Sequence, residues 1–496
     1  MNTSDSKDID EADVFFGRNG SAESRKIGFH VPGHIGARFF DDSDCCRLIR
    51  TDTTELSWTD DLHNPEGPIK NSLETAASIF GSAYSFYLCS GTTTGIRIML
   101  SAVLDESSVL LLPRSVHLSV VWTLGIIGCH YSFLPVRLRE NNILSPLGMP
   151  DPMDMDDYLA GHPEVTDVFV TSPDYYGRCA KLSALARVAH KHQCRLLVDE
   201  AHGAHFVFGG NSFPESAMRA GADISVSSLH KTLPALTPAA IIHVSADADR
   251  FGRVQKSRIT HSLNVFESSS PSFMIAASSH LAIERMKRSG PEPFEKCAER
   301  VQRLSTELDG LPGVRTTDPL DQHEKDPLRM TLNITGTGSF ASEVCEALER
   351  KGIYAEFSDP VRLLFIFSVL HEEREFLALS NALKEILTIS GPDRTGESLE
   401  PERLDRHLTD SYTRIPEAVV PLRKAIFGRH ISREISLSEC AGTVSAATVA
   451  LYPPGIPVIW PGERVSRETG KLLLNASEVG IALKGLTNGL FGELVV

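Results

Sequence analysis

Between about residues 70 and 245 the chain alternates two periods. Short apolar or β-branched runs of strand length occur at 109–112, 131–136, 167–171, 195–198, 224–227 and 240–244. Stretches of helical period lie between them, such as 71–80, 94–104 and 183–192. Strands alternating with helices predict an α/β fold with a mostly parallel sheet covered on both faces. Such sheets bind ligands beyond the carboxyl ends of their strands. Candidate chemistry is therefore expected in the residues that follow each strand.

A second pattern runs from about 271 to 400. Residues 273–287 and 293–308 carry helical periodicity, and 329–334 and 363–367 read as strands, which predicts a smaller α/β unit. The stretch 390–403, rich in Gly, Pro, Ser and charge, reads as a linker. Beyond it, Tyr452-Pro453-Pro454-Gly455-Ile456-Pro457 is a rigid, non-helical segment inside a third unit. The expected division is an N-terminal leader and arm over 1–69, a large domain over 70–270, a small α/β domain over 271–392 and a C-terminal domain over 393–496. Residues 1–26 are polar and acidic, lack the apolar stretch of a secretory signal, and read as a mobile leader.

At 496 residues the chain is too long for one core, which agrees with that division. No apolar run approaches the roughly 20 residues needed to cross a bilayer. A formal net charge of −15 disfavours nucleic acid and anionic membranes as partners and is compatible with a cationic small-molecule substrate. Nine scattered cysteines without a CxxC pair argue against a disulfide framework or a zinc site, so no metal is expected and the cytoplasm is the expected compartment.

Three motifs carry candidate chemistry, two of them after predicted strands. Ser90-Gly91-Thr92-Thr93-Thr94-Gly95 opens an apolar helix, and its backbone N–H groups, hydroxyls and helix dipole suit a phosphate. An ordinary capped helix would look similar. Asp199, in Leu197-Val198-Asp199-Glu200-Ala201-His202, ends a buried strand, where a carboxylate can keep a pyridine nitrogen protonated. A helix cap or a magnesium ligand would also fit that position. Lys231, in Ser228-Leu229-His230-Lys231-Thr232, follows another predicted strand, where desolvation would make its amine nucleophilic. Most lysines are merely solvated. The order of phosphate turn, ring acid and lysine points to a pyridoxal 5′-phosphate (PLP) enzyme with a Schiff base at Lys231.

The ordered set of motifs resembles the ornithine/lysine/arginine decarboxylase family, most closely its shorter members without the N-terminal wing domain. The matching pieces begin with His30-Val31-Pro32-Gly33-His34, Asp61-Leu62-His63, Pro65-Glu66-Gly67-Pro68-Ile69, Gly91-Thr92-Thr93, and Pro113-Arg114 with His117 and Ser119. They continue through Thr171-Ser172-Pro173 with Tyr175 and Gly177, Asp199-Glu200-Ala201-His202-Gly203, His230-Lys231-Thr232, Ser268-Ser269-Ser270-Pro271-Ser272 and Pro461-Gly462-Glu463. The resemblance implies a fold-type-I (aspartate aminotransferase-like) PLP-binding large domain with smaller α/β and C-terminal domains. It further implies decarboxylation of a basic amino acid to an amine in polyamine biosynthesis, and a homodimer or higher oligomer with shared active sites. Lys231 would hold PLP, Asp199 would pair with the pyridine nitrogen, and His117 would stack on the ring and help return a proton. Gly91, Thr92, Thr93, Ser228 and His230 would form the phosphate site, His202 would sit beside the ring, and Ser269 would reach the phosphate of the second subunit.

Three positions depart from the family pattern: Ile35, Leu118 and Pro238 stand where polar residues are usual. They keep open a different outcome on the same scaffold, such as aminotransfer, elimination or oxidative deamination. A basic substrate needs an acid at its chain end, because a desolvated cation requires a charge partner. Glu439, Glu463 and Glu66 are the candidates, and arginine is the favoured substrate, ahead of lysine and ornithine.

Overall fold

The computed structural model describes residues 52–56, 58–138, 144–317, 324–389, 401–452 and 455–495. The expected leader, the His30–His34 piece, Ile35, Pro453 and Pro454 lie outside the described residues.

The alternating region builds a seven-stranded sheet from β1 (Tyr84–Leu88), β2 (Val109–Leu112), β3 (His130–Phe133), β4 (Asp167–Thr171), β5 (Arg195–Asp199), β6 (Ile224–Ser228) and β7 (Ala240–Val244). Their spatial order is β1-β7-β6-β5-β4-β2-β3. Strands β2 to β6 run parallel, and β7 lies antiparallel between β1 and β6. The run expected at 131–136 is shorter than predicted. It ends at Phe133, before Pro135, which has no N–H for the ladder, and Val136–Arg137 pairs in a separate ribbon.

Helices α1 (Pro68–Phe80), α2 (Gly91–Val103) and α3 (Leu118–Ile127) surround this sheet. Helix α2 packs so tightly that a Cβ on Gly95 would come within 2.4 Å of Val226 in β6. That contact fixes the start of α2 near the end of β6.

The second unit is a three-stranded antiparallel sheet, β8 (Arg329–Asn333), β9 (Phe357–Ser358) and β10 (Arg362–Ile366), in the order β8-β10-β9. The predicted helices appear as Phe273–Ser289 and Glu292–Asp309. Ile69, Leu73 and Phe80 of α1 share one apolar cluster with Phe273, Leu304, Met330 and Leu383, so no polar gap separates the two units.

Residues 390–400 of the expected linker are outside the described residues, but its end is helical. Pro401–Thr413 is a helix, started by a proline whose missing N–H costs nothing in the first turn. This helix and Arg467–Glu478 pack with two small antiparallel sheets. Among the described residues, no helix is long and apolar enough to cross a membrane.

Candidate active site

The carboxyl ends of β4, β5 and β6 and the start of α2 meet around a cavity of about 400 Å³. Gly91 opens α2 at φ +75°, and a Cβ there would sit 3.3 Å from Pro238 Cβ, so the turn requires glycine. The first N–H groups of α2 lack intrahelical partners and lie at the positive end of its dipole. Thr92 Oγ1 and Ser228 Oγ stand 3.0 Å apart beside them. Thr93 and His230 line the same cavity, and the Ala239 carbonyl lies 2.8 Å from His230 Nδ1, which leaves Nε2 for another partner. The α2 N–H groups and the Thr92, Thr93 and Ser228 hydroxyls fit a phosphate, while His230, donating from Nδ1, keeps a lone pair on Nε2 in its neutral form.

Asp199 ends β5 and is only 4% exposed. Its Oδ1 accepts the Ala201 N–H at 3.0 Å. Burial raises its carboxyl pKa, opposed by that N–H and by the charge of Lys231. A buried carboxylate facing a cavity fits the protonated nitrogen of a pyridine ring.

His117 caps α3. Its Nδ1 accepts the Ser119 N–H at 3.2 Å, so the neutral ring carries its proton on Nε2. Burial, aided by Lys231 and Lys484, lowers its pKa to about 4.

Lys231 lies in the short helix Leu229–Thr232 that follows β6. Its side chain is open to the cavity, yet protein atoms crowd the amine. This burial lowers its pKa; Arg329 acts in the same sense, and Asp199 and Glu356 oppose. His202 Nε2 is 3.0 Å from Lys231 Nζ.

The structure thus gathers Lys231, Asp199, His117, His202, His230, Gly91, Thr92 and Thr93 around one cavity, with Ser228 beside it. Pro238 lines it too, against the phosphate-type turn. Ser269 is exposed and lies outside its own chain's cavity.

The three acids expected at the substrate's chain end need correction. Glu463 is 3% exposed and turned inward: Oε2 accepts from Arg114 at 2.7 Å and from the Trp460 N–H at 2.6 Å. Arg114 is itself buried, and it consumes that charge. Glu439 and Glu66 are exposed and do not line this cavity. Besides Asp199, two acids line the cavity: Asp174, buried and accepting the Arg178 N–H at Oδ1 at 2.9 Å, and the exposed Glu356, just before β9, where Tyr175 donates its phenol proton to Oε1 at 2.7 Å. Another residue that sequence reasoning missed is Arg329 at the start of β8, which donates to His202 Nδ1. A charged residue beginning an otherwise buried strand was the available signal for Arg329; Glu356 offered none.

Sheet order and pocket define the fold-type-I class of PLP enzymes. The chain belongs to the Orn/Lys/Arg decarboxylase family: the family's major domain matches residues 19–326 and its C-terminal domain matches 405–490. An uncharacterized Bacillus subtilis protein, YaaO, is 33% identical over 456 residues, covering 90% of each chain. The arginine decarboxylase of Bacillus subtilis is 28% identical over 492 residues, covering 96% of this chain and 95% of that one. Among solved structures, the Francisella novicida lysine decarboxylase LdcF superimposes with a TM-score of 0.79 at 18% identity, over 98% of this chain and 81% of that one.

Proposed function

We propose that the chain removes carbon dioxide from a basic amino acid, arginine first and lysine or ornithine after it, using PLP held at Lys231. The observation that carries this reading is a single cavity uniting Lys231, Asp199, His117, the Gly91 turn and an exposed acid, Glu356. Membership of the decarboxylase family supports the reaction, and relatives named arginine decarboxylase support the substrate.

When bound, PLP supplies the electron sink that takes up the bonding pair as carbon dioxide leaves. Thr92, Thr93, Ser228 and the N–H groups of α2 hold the phosphate end. Asp199 holds a proton on the ring nitrogen by offering it a buried negative charge. His117 keeps a proton at Nε2 and is the group to return one to the substrate carbon. Lys231, whose ammonium form is disfavoured by burial, is the amine placed to bond the cofactor's aldehyde carbon. Glu356, held by Tyr175, offers a carboxylate to the guanidinium or ammonium end of the substrate.

The active form on this reading is at least a dimer, in which exposed Ser269 serves the neighbouring cavity. Sedimentation showing a fully active monomer would remove that part.

The test is to incubate the purified chain with arginine, lysine, ornithine and citrulline in parallel and identify the products by mass. Carbon dioxide and the matching amine are expected from arginine, and far less from citrulline. Keto acid or ammonia in their place would replace decarboxylation with another outcome on the same scaffold.

A further inference from the structure

We propose that Arg329 is a positioning residue: it fixes His202 as the tautomer protonated on Nε2, and so holds Lys231 as a free amine ready to capture an aldehyde. This rests on Lys231 being the lysine that carries PLP, and adds where that lysine's reactivity comes from.

Arg329 begins β8 and is 0% exposed. Its guanidinium donates to the Tyr175 carbonyl and to His202 Nδ1. Asp326 Oδ2 lies 3.5 Å from its Nε, and Asp326 Oδ1 is 2.9 Å from His205 Nε2. The arginine is therefore clamped on several sides. The loop after β4 is shaped around it. Gly177 has φ +88°, and a Cβ there would press within 2.9 Å of Arg329 Cβ.

A guanidinium has only donors and keeps its protons. His202 Nδ1 must therefore be the acceptor. Burial and the adjacent Arg329 charge keep this ring neutral, so its one proton is on Nε2. Nε2 stands 3.0 Å from Lys231 Nζ. An ammonium there would set two donors against each other, whereas a neutral amine accepts the Nε2–H. A line of donors thus runs from Arg329 through His202 to the lone pair of Lys231.

The other groups facing Nζ come from separate elements. Asp199 from β5 and Glu356 from the second sheet favour the ammonium. Neither supplies a hydrogen bond to Nζ among the described contacts. His117, before α3, and His230, on the lysine's own helix, both have lowered pKa values, and the charge of Lys231 contributes to each. Only His202 makes a direct hydrogen bond to Nζ among the described residues.

The experiment measures how fast the full-length apoprotein takes up PLP across a range of pH. Borohydride trapping and peptide mass then locate the modified lysine. Arg329→Met should slow labelling of Lys231 at pH 7 about tenfold and move the pH midpoint of labelling up by about one unit. Arg329→Lys, which keeps a donor, should stay within about threefold of the native rate. Labelling of Lys231 in Arg329→Met with native rate and midpoint overturns the inference while leaving the lysine assignment intact. Labelling of a different lysine in the native protein overturns the assignment itself. A second measurement needs no Arg329 variant to fold: the ¹⁵N spectrum of histidine-labelled native apoprotein, with His202→Gln to identify the resonance. An Nε2-protonated His202 is expected, and an Nδ1-protonated ring overturns the proposal.

Discussion

Arg114 and His117 are three residues apart, yet they enter two unlike clusters of buried charge. Arg114 closes on Glu463 at 2.7 Å and lies over the Trp460 ring, 4.6 Å from its centroid. His117 faces a cavity that it shares with Lys231, Asp199 and His202. Burial raises the pKa of Glu463 just as it raises that of Asp199. A displaced proton affinity therefore does not separate the two clusters. What separates them is access: Arg114 and Glu463 are buried against each other, while Asp199 and Lys231 border space that a ligand can fill. The first cluster ties the C-terminal unit to the main sheet, and the second is where chemistry can occur.

The strongest challenge to this contrast is Lys231→Ala. It should abolish turnover and the visible absorbance of bound PLP while leaving the fold intact by circular dichroism; persistent turnover would end the assignment. Asp199→Ala should keep some PLP yet lose several orders of magnitude in kcat, on the scale of removing an electrostatic partner of the reacting system. Near-normal kcat would place Asp199 with the structural pair instead.

Glu463→Gln should act in the opposite way. It leaves the Arg114 charge buried without a counterion, so urea unfolding should show a loss of about 3 kcal/mol. Activity per folded molecule and the ranking of substrates should stay unchanged; a changed ranking would return Glu463 to the substrate site. The smallest effect belongs to Glu356→Gln. The acid is exposed, so a rise of about fivefold in KM for arginine, about 1 kcal/mol, is expected with no change in stability. The preference for arginine over citrulline should shrink with it, and an unaltered preference would show that another group reads the chain end.

The sequence made one of these clusters legible and not the other. Asp199 and Lys231 follow apolar runs that read plainly as strands, so strand-end logic leads to both, while Gly91 is legible only as a Gly/Thr turn opening an apolar helix. Strand β1 escaped notice because Tyr84–Leu88 is a short, largely aromatic run without alternation. Helix α3 escaped because LSVVWTLGII is apolar on nearly every side, and a helix buried all round shows no 3.6-residue period. Glu463 was misjudged because its partner, Arg114, lies in a distant part of the chain and only tertiary packing brings the pair together. Arg329 and Glu356 are far downstream of Lys231 and reach it only when the second sheet docks. The arginine in the buried strand RMTLN nonetheless signals a partner, since desolvating a guanidinium without one is costly.

The apolar cluster that joins α1 to the second sheet bears on how the molecule comes apart. Ile69, Leu73 and Phe80 would lose their cover if Phe273, Met330 and Leu383 were withdrawn, and the reverse holds as well. Neither unit can melt while the other stays folded, so heat should take both through one cooperative transition. Arg329 begins a strand held by that shared cluster. Release of the cofactor and collapse of the small sheet should therefore coincide on a thermal scan, as a single event.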